Sequence, residues 1–310
     1  MINRTIQLED VSAMPGANAP GTVNITCPRG YRYKDITLKL KRTDYAAVAV
    51  ATTLGEIQVR MGGGIQRRAD AARLDAINAL NGAGYASQAY GAAFTAADPG
   101  ERHLKIYFEE PWRTRIRNNS VDPNALGWKT GWLPNNKPMQ LSLACLAAVG
   151  AGQTWNISAE ASISDDDDGQ PNPIIRWNSD FMNVNGSVVN LSNLDNGLQK
   201  TDRIEQISIF DGTTTAGTLA NLRLEIGSIV VKQDQTLRSL ISELINAGMA
   251  PATANAIANA AHIVFDKNDA LDDTLPVGFI SSLLKLTYSP TAAVGTIPYV
   301  TQIYGQPNHS

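Results

Sequence analysis

The sequence predicts an all-β protein made of two tandem eight-stranded jelly-roll sandwiches (a double jelly roll), each carrying one short helix. Three observations lead there. Short alternating runs rich in β-branched residues, bounded by Gly, Pro and Asn, fill most of the chain. The stretch "RLDAINALNGAG" (73–84) returns as "LRSLISELINAG" (237–248), about half a chain later. Finally, 310 residues with 43% apolar content exceed what one core usually serves, so two domains of about 150 residues are expected.

In chain order, strands are predicted at "TVNITC" (22–27), "YKDITLKLK" (33–41), "EIQVRM" (56–61), "HLKIYFE" (103–109), "MQLSLACLA" (139–147) and "WNISAEASI" (155–163). The second half repeats the style with "VVNLSNL" (188–194), "RIEQISIF" (203–210), "NLRLEIGSIVV" (221–231), "HIVFD" (262–266), "ISSLLKLTYS" (280–289) and "YVTQIYG" (299–305). The first helix follows Asp70, with Leu74, Ile77 and Leu80 on one stripe and Gly82 or Gly84 past its end. The second has Leu237, Leu240, Ile241, Leu244 and Ile245 and closes at Gly248. Leu80 and Ile245, last in their stripes, are expected to be buried. The Gly-rich "MGGGI" (61–65) lacks the Lys-Ser or Lys-Thr of a phosphate loop and reads as a strand bend.

Four segments recur in the same order. "YKDITLKL" (33–40) matches "RIEQISIF" (203–210), and "IQVRMGGGI" (57–65) matches "LRLEIGSI" (222–229) with one residue dropped. The helices match next, and "HLKIYFE" (103–109) matches "HIVFD" (262–266), which sets His103 against His262. Slowly drifting offsets of this kind mark a duplicated domain with loop insertions. Apolar residues vanish at "SDDDDGQPNP" (164–173), so the domains are expected at 1–167 and 168–310.

Composition excludes several functions. The net charge of −3 excludes a chain-wide nucleic-acid glove, and no direct nucleic-acid binding is expected. Charge is unevenly spread: residues 1–160 hold 18 Lys+Arg against 13 Asp+Glu, hence +5, and residues 161–310 hold 8 against 16, hence −8. Two cysteines, Cys27 and Cys145, are too few for a disulfide framework and read as buried free thiols. The N-terminal stretch lacks the apolar centre of an export signal, so a soluble chain is expected. No GxSxG, HExxH, Walker loop or GxGxxG occurs, and His103, His262 and His309 lack a nucleophile or metal-ligand pattern, so no enzyme is expected.

Two clusters stand out. Asp165, Asp166, Asp167 and Asp168 form a like-charged run whose candidate roles are a solvated linker or a calcium site, with no cofactor otherwise expected; catalysis by paired carboxylates is the least favoured. "DALDD" (269–273) is a second acidic loop. The segment 111–138 gathers Trp112, Trp128 and Trp132 with Arg113, Arg115 and Arg117, a composition suited to an acidic partner such as the second half of a neighbouring copy.

Beyond these patterns, several blocks carry a family likeness: "PGTVNITCPRGYRYKDITLKLKR" (20–42), "MQLSLACLAAVGAGQTWNISAEASISDDDDG" (139–169), "FMNVNGSVVNLSNLDNGLQKTDRIEQISIFDG" (181–212) and a closing "YG" (304–305). In these the chain resembles the major capsid (coat) proteins of tailless icosahedral, membrane-containing double-stranded DNA phages, the corticovirus type. The resemblance implies a double jelly roll whose homotrimers form pseudo-hexagonal capsomers tiling a virion shell over an internal lipid membrane, beside minor vertex or membrane proteins. It implies a structural role, and calcium is associated with that family. The alternative is a carbohydrate-binding or glycan-processing double jelly roll, which also stacks two sandwiches and uses Trp and Asp.

Overall fold

A computed structural model describes residues 3–8, 21–42, 54–82, 85, 87, 100–112, 126–145, 155–191, 194, 198–210, 219–246, 260–266, 273–279 and 284–308. The first set of strands is β1 (Asn3–Gln7), β2 (Gly21–Cys27), β3 (Arg32–Arg42), β4 (Leu54–Met61), β5 (Gly64–Asp70), β6 (Arg102–Tyr107), β7 (Trp128–Lys129), β8 (Met139–Cys145) and β9 (Trp155–Ser164), with helix α1 (Ala71–Leu80) after β5. The second is β10 (Ile174–Asn185), β11 (Val189–Leu191), β12 (Arg203–Ile209), β13 (Leu219–Ile226), β14 (Ile229–Gln235), β15 (Ala261–Val264), β16 (Leu275–Pro276), β17 (Leu284–Pro290) and β18 (Ala293–Gly305), with α2 (Leu237–Asn246) after β14.

Each set folds into two facing sheets of four main strands, with the two-residue strands β7 and β16 paired beside β3 and β12. In the first they run β1-β9-β3-β6 and β2-β8-β4-β5; in the second, β10-β18-β12-β15 and β11-β17-β13-β14. These are the two sheets of an eight-stranded jelly roll, with a helix in the fifth connection each time. Alternation drives the packing. β8 reads buried, half-buried, buried along its length, and Val23 and Ile25 of β2 face Leu143 and Leu141 across the strand pair. Each fully buried Leu or Ile stabilises by about 1.5–3 kcal/mol relative to exposure.

The duplication is visible at single-residue resolution. Both sandwiches carry a bulge at the same point of a matching strand pair: β3 skips Lys34 between Tyr33 and Asp35 against β9, and β12 skips Glu205 between Ile204 and Gln206 against β18. Counting from those bulges, Asp35, Thr37 and Lys39 correspond to Gln206, Ser208 and Phe210. The β4–β5 and β13–β14 hairpins close with Met61↔Gly64 and Ile226↔Ile229, and each skips one residue further along, Gln66 and Val231. Arg67 therefore corresponds to Lys232, and no residue is dropped in the hairpin match. Gly62 and Gly63 sit at φ 61° and 91°, the left-handed region a two-residue hairpin turn demands, which is the physical reason for "MGGGI".

Four further expectations need correction. The strand match of 33–40 with 203–210 is shifted by one residue, since Tyr33 corresponds to Ile204 and Asp35 to Gln206. His103 and His262 are not equivalent: His103 pairs with Lys39 and His262 with Ser208, so the counterpart of His262 is Lys105. "NLRLEIGSIVV" is a hairpin of two strands rather than one strand. Leu80 is buried, but Ile245 is 54% exposed, and Leu244 is the buried residue at that end of α2. The helices are ten residues each, begun by an Asp70 carboxylate that accepts from Ala72 N and by Thr236, whose hydroxyl accepts from Ser239 N.

The two sandwiches are joined edge to edge. β10 runs parallel to β5, with Trp177 opposite Arg67, so one continuous sheet spans both. Trp177, Phe210 and Val300 of the second set pack into the core of the first. Leu80 of α1 joins Leu244 and Val264 in a small apolar cluster between the two. No helix among the described residues is long and apolar enough to cross a membrane.

Candidate functional site

The acidic run lies in the connection between β9 and β10, and its four carboxylates go separate ways. Asp165 pairs with Arg4 of β1 at 3.1 Å, Asp166 with Arg32 of β3 at 3.0 Å, and Asp168 with Lys129 of β7 at 2.9 Å. Asp167 accepts from Thr130 N at 2.9 Å, Gly131 N at 2.6 Å and Gly169 N at 2.9 Å. Gly131 is required there, because a Cβ at that position would meet the Asp167 carboxylate at 2.7 Å. The Lys129 ammonium, with the Gln170 amide, holds the exposed Asp168 carboxyl below its ordinary range. The run is thus a clasp that fastens the connection to three strands.

This geometry does not fit a calcium cage. Calcium takes six to eight oxygens converging on one point, whereas these carboxylates each face a different cation or amide. No cluster of three or more His, Cys, Asp or Glu side chains is placed to hold a metal among the described residues. Of "DALDD", residues 269–272 lie outside the described residues.

The second concentration of buried polar chemistry is the junction. Arg67 is 4% exposed and sits among three aromatic rings, 5.5 Å from Phe108, 5.1 Å from Trp128 and 5.0 Å from Trp177. Its Nε donates to the Ile175 carbonyl at 3.0 Å and its Nη1 to the Tyr107 carbonyl. Burial pulls the guanidinium down to about 10, opposed by Glu110 and Glu205, so it remains charged at neutral pH. One side chain thereby holds β5, β6 and β10 together. Beside it, the Ser208 hydroxyl is 2.9 Å from His262 Nδ1 and accepts from Gln206 at 2.6 Å, all buried. His262 thus has a structural setting; His103 lies on a half-exposed face, 3.3 Å from Glu101. His309 lies outside the described residues.

The tryptophans divide in the same way. Trp128 is fully buried, 4.5 Å from Phe108, and the Trp132 indole donates to the Lys129 carbonyl at 2.9 Å. Trp112 packs edge-on against Tyr85 and Tyr107. Arg113, Arg115 and Arg117 lie outside the described residues. Cys27 and Cys145 are buried free thiols, with burial raising both, Cys145 to about 11. A cleft of about 350 Å³ opens beside the junction, lined by Gln66, Arg68, Arg176 and Asn308 among others. Arg176 is committed to the buried Asp202 at 2.5 Å and to Asn308. Alternating sequence patterns could not reveal Arg67, because a charged residue in a polar strand reads as solvated.

No known protein family matches the sequence, and no curated protein does. Solved structures do match. The major capsid protein P2 from bacteriophage PM2 superposes with a TM-score of 0.69 at 13% identity, over 99% of this chain and 98% of that one. The capsid protein of the PBCV-1 virus gives 0.64 at 8% identity, over 100% and 97%. A chain of Sulfolobus Turreted Icosahedral Virus gives 0.62 at 13% identity, over 98% and 91%. The chain therefore has the double jelly-roll fold of these proteins, along its whole length.

Proposed function

We propose that the chain is the major capsid protein of an icosahedral virus, a structural protein of the virion shell rather than an enzyme. The observation that carries this is the end-to-end match to viral capsid proteins of the same double jelly-roll architecture. In this reading homotrimers form pseudo-hexagonal capsomers that tile a shell over an internal membrane, with minor vertex or membrane proteins as further partners. Six similar sandwiches, two per chain, make a near-hexagonal outline without six chains. The domains divide at 167/168, within the clasp, which serves as a fastening. Negative-stain microscopy of concentrated protein tests the reading: hexagonal plates or shells support it, whereas a monomer that binds a glycan array overturns it. Contact between the +5 and −8 halves makes assembly slow as salt rises, because screening weakens steering beyond about 8 Å at physiological ionic strength.

A further inference from the structure

One junction is made within the chain, and its two counterparts are left open. β5 pairs with β10; by the register matches above, the counterpart of β5 is β14 and the counterpart of β10 is β1. Both β14 and β1 end their sheets with no further strand beside them among the described residues. β14 exposes Ile229 at 68% and Val231 at 36%, and four of the five β1 residues are exposed. An open edge presents unpaired backbone N–H and C=O groups and is a template for a further strand.

We propose that β14 of one copy adds in parallel to β1 of a second copy, with Lys232 opposite Thr5, repeating between chains the junction that β5 and β10 make within each chain. This deepens the self-assembly reading and rests on it. The register is fixed by correspondence: Arg67 stands opposite Trp177, Lys232 corresponds to Arg67, and Thr5 corresponds to Trp177 because each pairs across from its sheet neighbour at the same distance from the bulge. Arg67 donates to the Ile175 carbonyl, whereas the Lys232 ammonium is paired with Glu243 of its own copy, so the register is carried by the backbones of the two strands. The second copy is the fitting occupant, since its first half carries +5 against the −8 of the half it meets.

The exposure of Ile245 then has a cause. The last turn of α1 is covered by the following sandwich, where Leu80 packs against Leu244 and Val264, whereas in the last turn of α2 Ile245 is uncovered. The sandwich following α2 belongs to another molecule. A contact of this kind is heterologous, and it closes a ring of three chains when six sandwiches complete the turn.

Cross-linking tests the register. Chains carrying Thr5→Cys and chains carrying Lys232→Cys are mixed and oxidised, beside a control mixture of Thr5→Cys with Gln235→Cys, three residues away and about 10 Å along the strand. The buried native thiols, raised by burial, stay out of the reaction. The expected result is a disulfide-linked dimer at least tenfold more abundant in the first mixture. Equal or absent cross-linking while the unmodified chain assembles overturns this register and leaves self-assembly standing. An unmodified chain that stays monomeric at every concentration overturns both. Ile245→Asp provides a test that needs no disulfide: the chain stays folded and its assembled fraction falls at least tenfold, and unchanged assembly overturns the proposal.

Discussion

The outer faces of the two equivalent sheets, β1-β9-β3-β6 and β10-β18-β12-β15, differ sharply in charge and burial. On the first, Asp35, Lys39, Lys105 and Glu160 are half-exposed and neutralise one another, Lys39 with Glu160 and Lys105 with Asp35 at 3.3 Å. On the second, the matching Gln206, Phe210, His262 and Val300 are all buried and carry no carboxylate or ammonium. The inner faces of both are alike, Ile36, Leu38 and Ile106 against Ile207, Ile209 and Ile263. The second outer face meets the first sandwich as soon as the chain folds and never faces water for long. In the proposed assembly the first faces water until another copy arrives. Burial within a chain permits uncharged polar residues; burial deferred to assembly keeps paired charges.

The largest expected break in this comparison comes from the helix ends. Leu80→Asp places a charge in the cluster between the sandwiches and should cost on the order of 5 kcal/mol. Ile245→Asp should change the isolated chain by less than about 0.5 kcal/mol. Urea denaturation of dilute protein checks both; equal losses would mean the two helix ends have the same surroundings.

Next comes the Arg67 and Lys232 pair. Arg67→Ala removes the bonds to the Ile175 and Tyr107 carbonyls and empties the space between three aromatic rings, and should cost about 3–5 kcal/mol, while Lys232→Ala, which removes a half-exposed pair with Glu243, should cost about 1 kcal/mol or less. Thermal melts of monomeric protein would show it, and comparable losses would erase the difference between a closed and an open junction.

How legible this was from sequence follows the same division. Strands with one wet and one dry face, such as β2, β3 and β8, alternate cleanly and were readable. β1, β5 and β10 were not: "NRTIQ" is almost wholly exposed, and "GIQRRAD" buries Gln66 and Arg67 through hydrogen bonds and aromatic contacts rather than hydrophobicity. β10 has Asn178 and Asp180, both exposed, in line with the buried Met182 and Val184, which breaks its alternation. The two edge strands that join the sandwiches within the chain, β5 and β10, are therefore among those a periodicity argument misses. The acidic run was visible as a run, but not as a clasp, since Arg4, Arg32 and Lys129 reach it only through the fold.

A smaller effect sharpens the charged side of the comparison. Glu109 follows β6 at 7% exposure, 3.5 Å from Lys34, and burial pushes its carboxyl up to about 7 against the opposing pull of Lys34. A carboxyl with a raised folded pKa holds its proton better in the folded chain, so stability is greatest below the ordinary carboxylate range and declines as pH rises toward and through 7. Glu109→Gln should remove that decline, stabilising by about 1 kcal/mol at pH 8, after discounting for solvent screening, and by nothing near pH 4. A pH series of urea midpoints reads the difference; a gap independent of pH would count against it. Smallest of all, titration of millimolar calcium into the folded chain should give no measurable heat, because each carboxylate of 165–168 already has its own cation or amide. Saturable heat abolished by Asp166→Asn and Asp168→Asn together would restore the metal reading.

Hydrogen exchange of the chain, dilute and assembled, tests the central claim most directly, since it reads the backbone amides of β1 and β14 in one experiment. Amides of residues 3–7 and 229–235 should exchange quickly in the monomer and slow by at least about tenfold on assembly, while β5 and β10 are protected in both states. Assembled protein in which 3–7 and 229–235 still exchange as fast as in the monomer would show that copies join by some other surface, and that the junction within the chain is not the pattern for the one between chains.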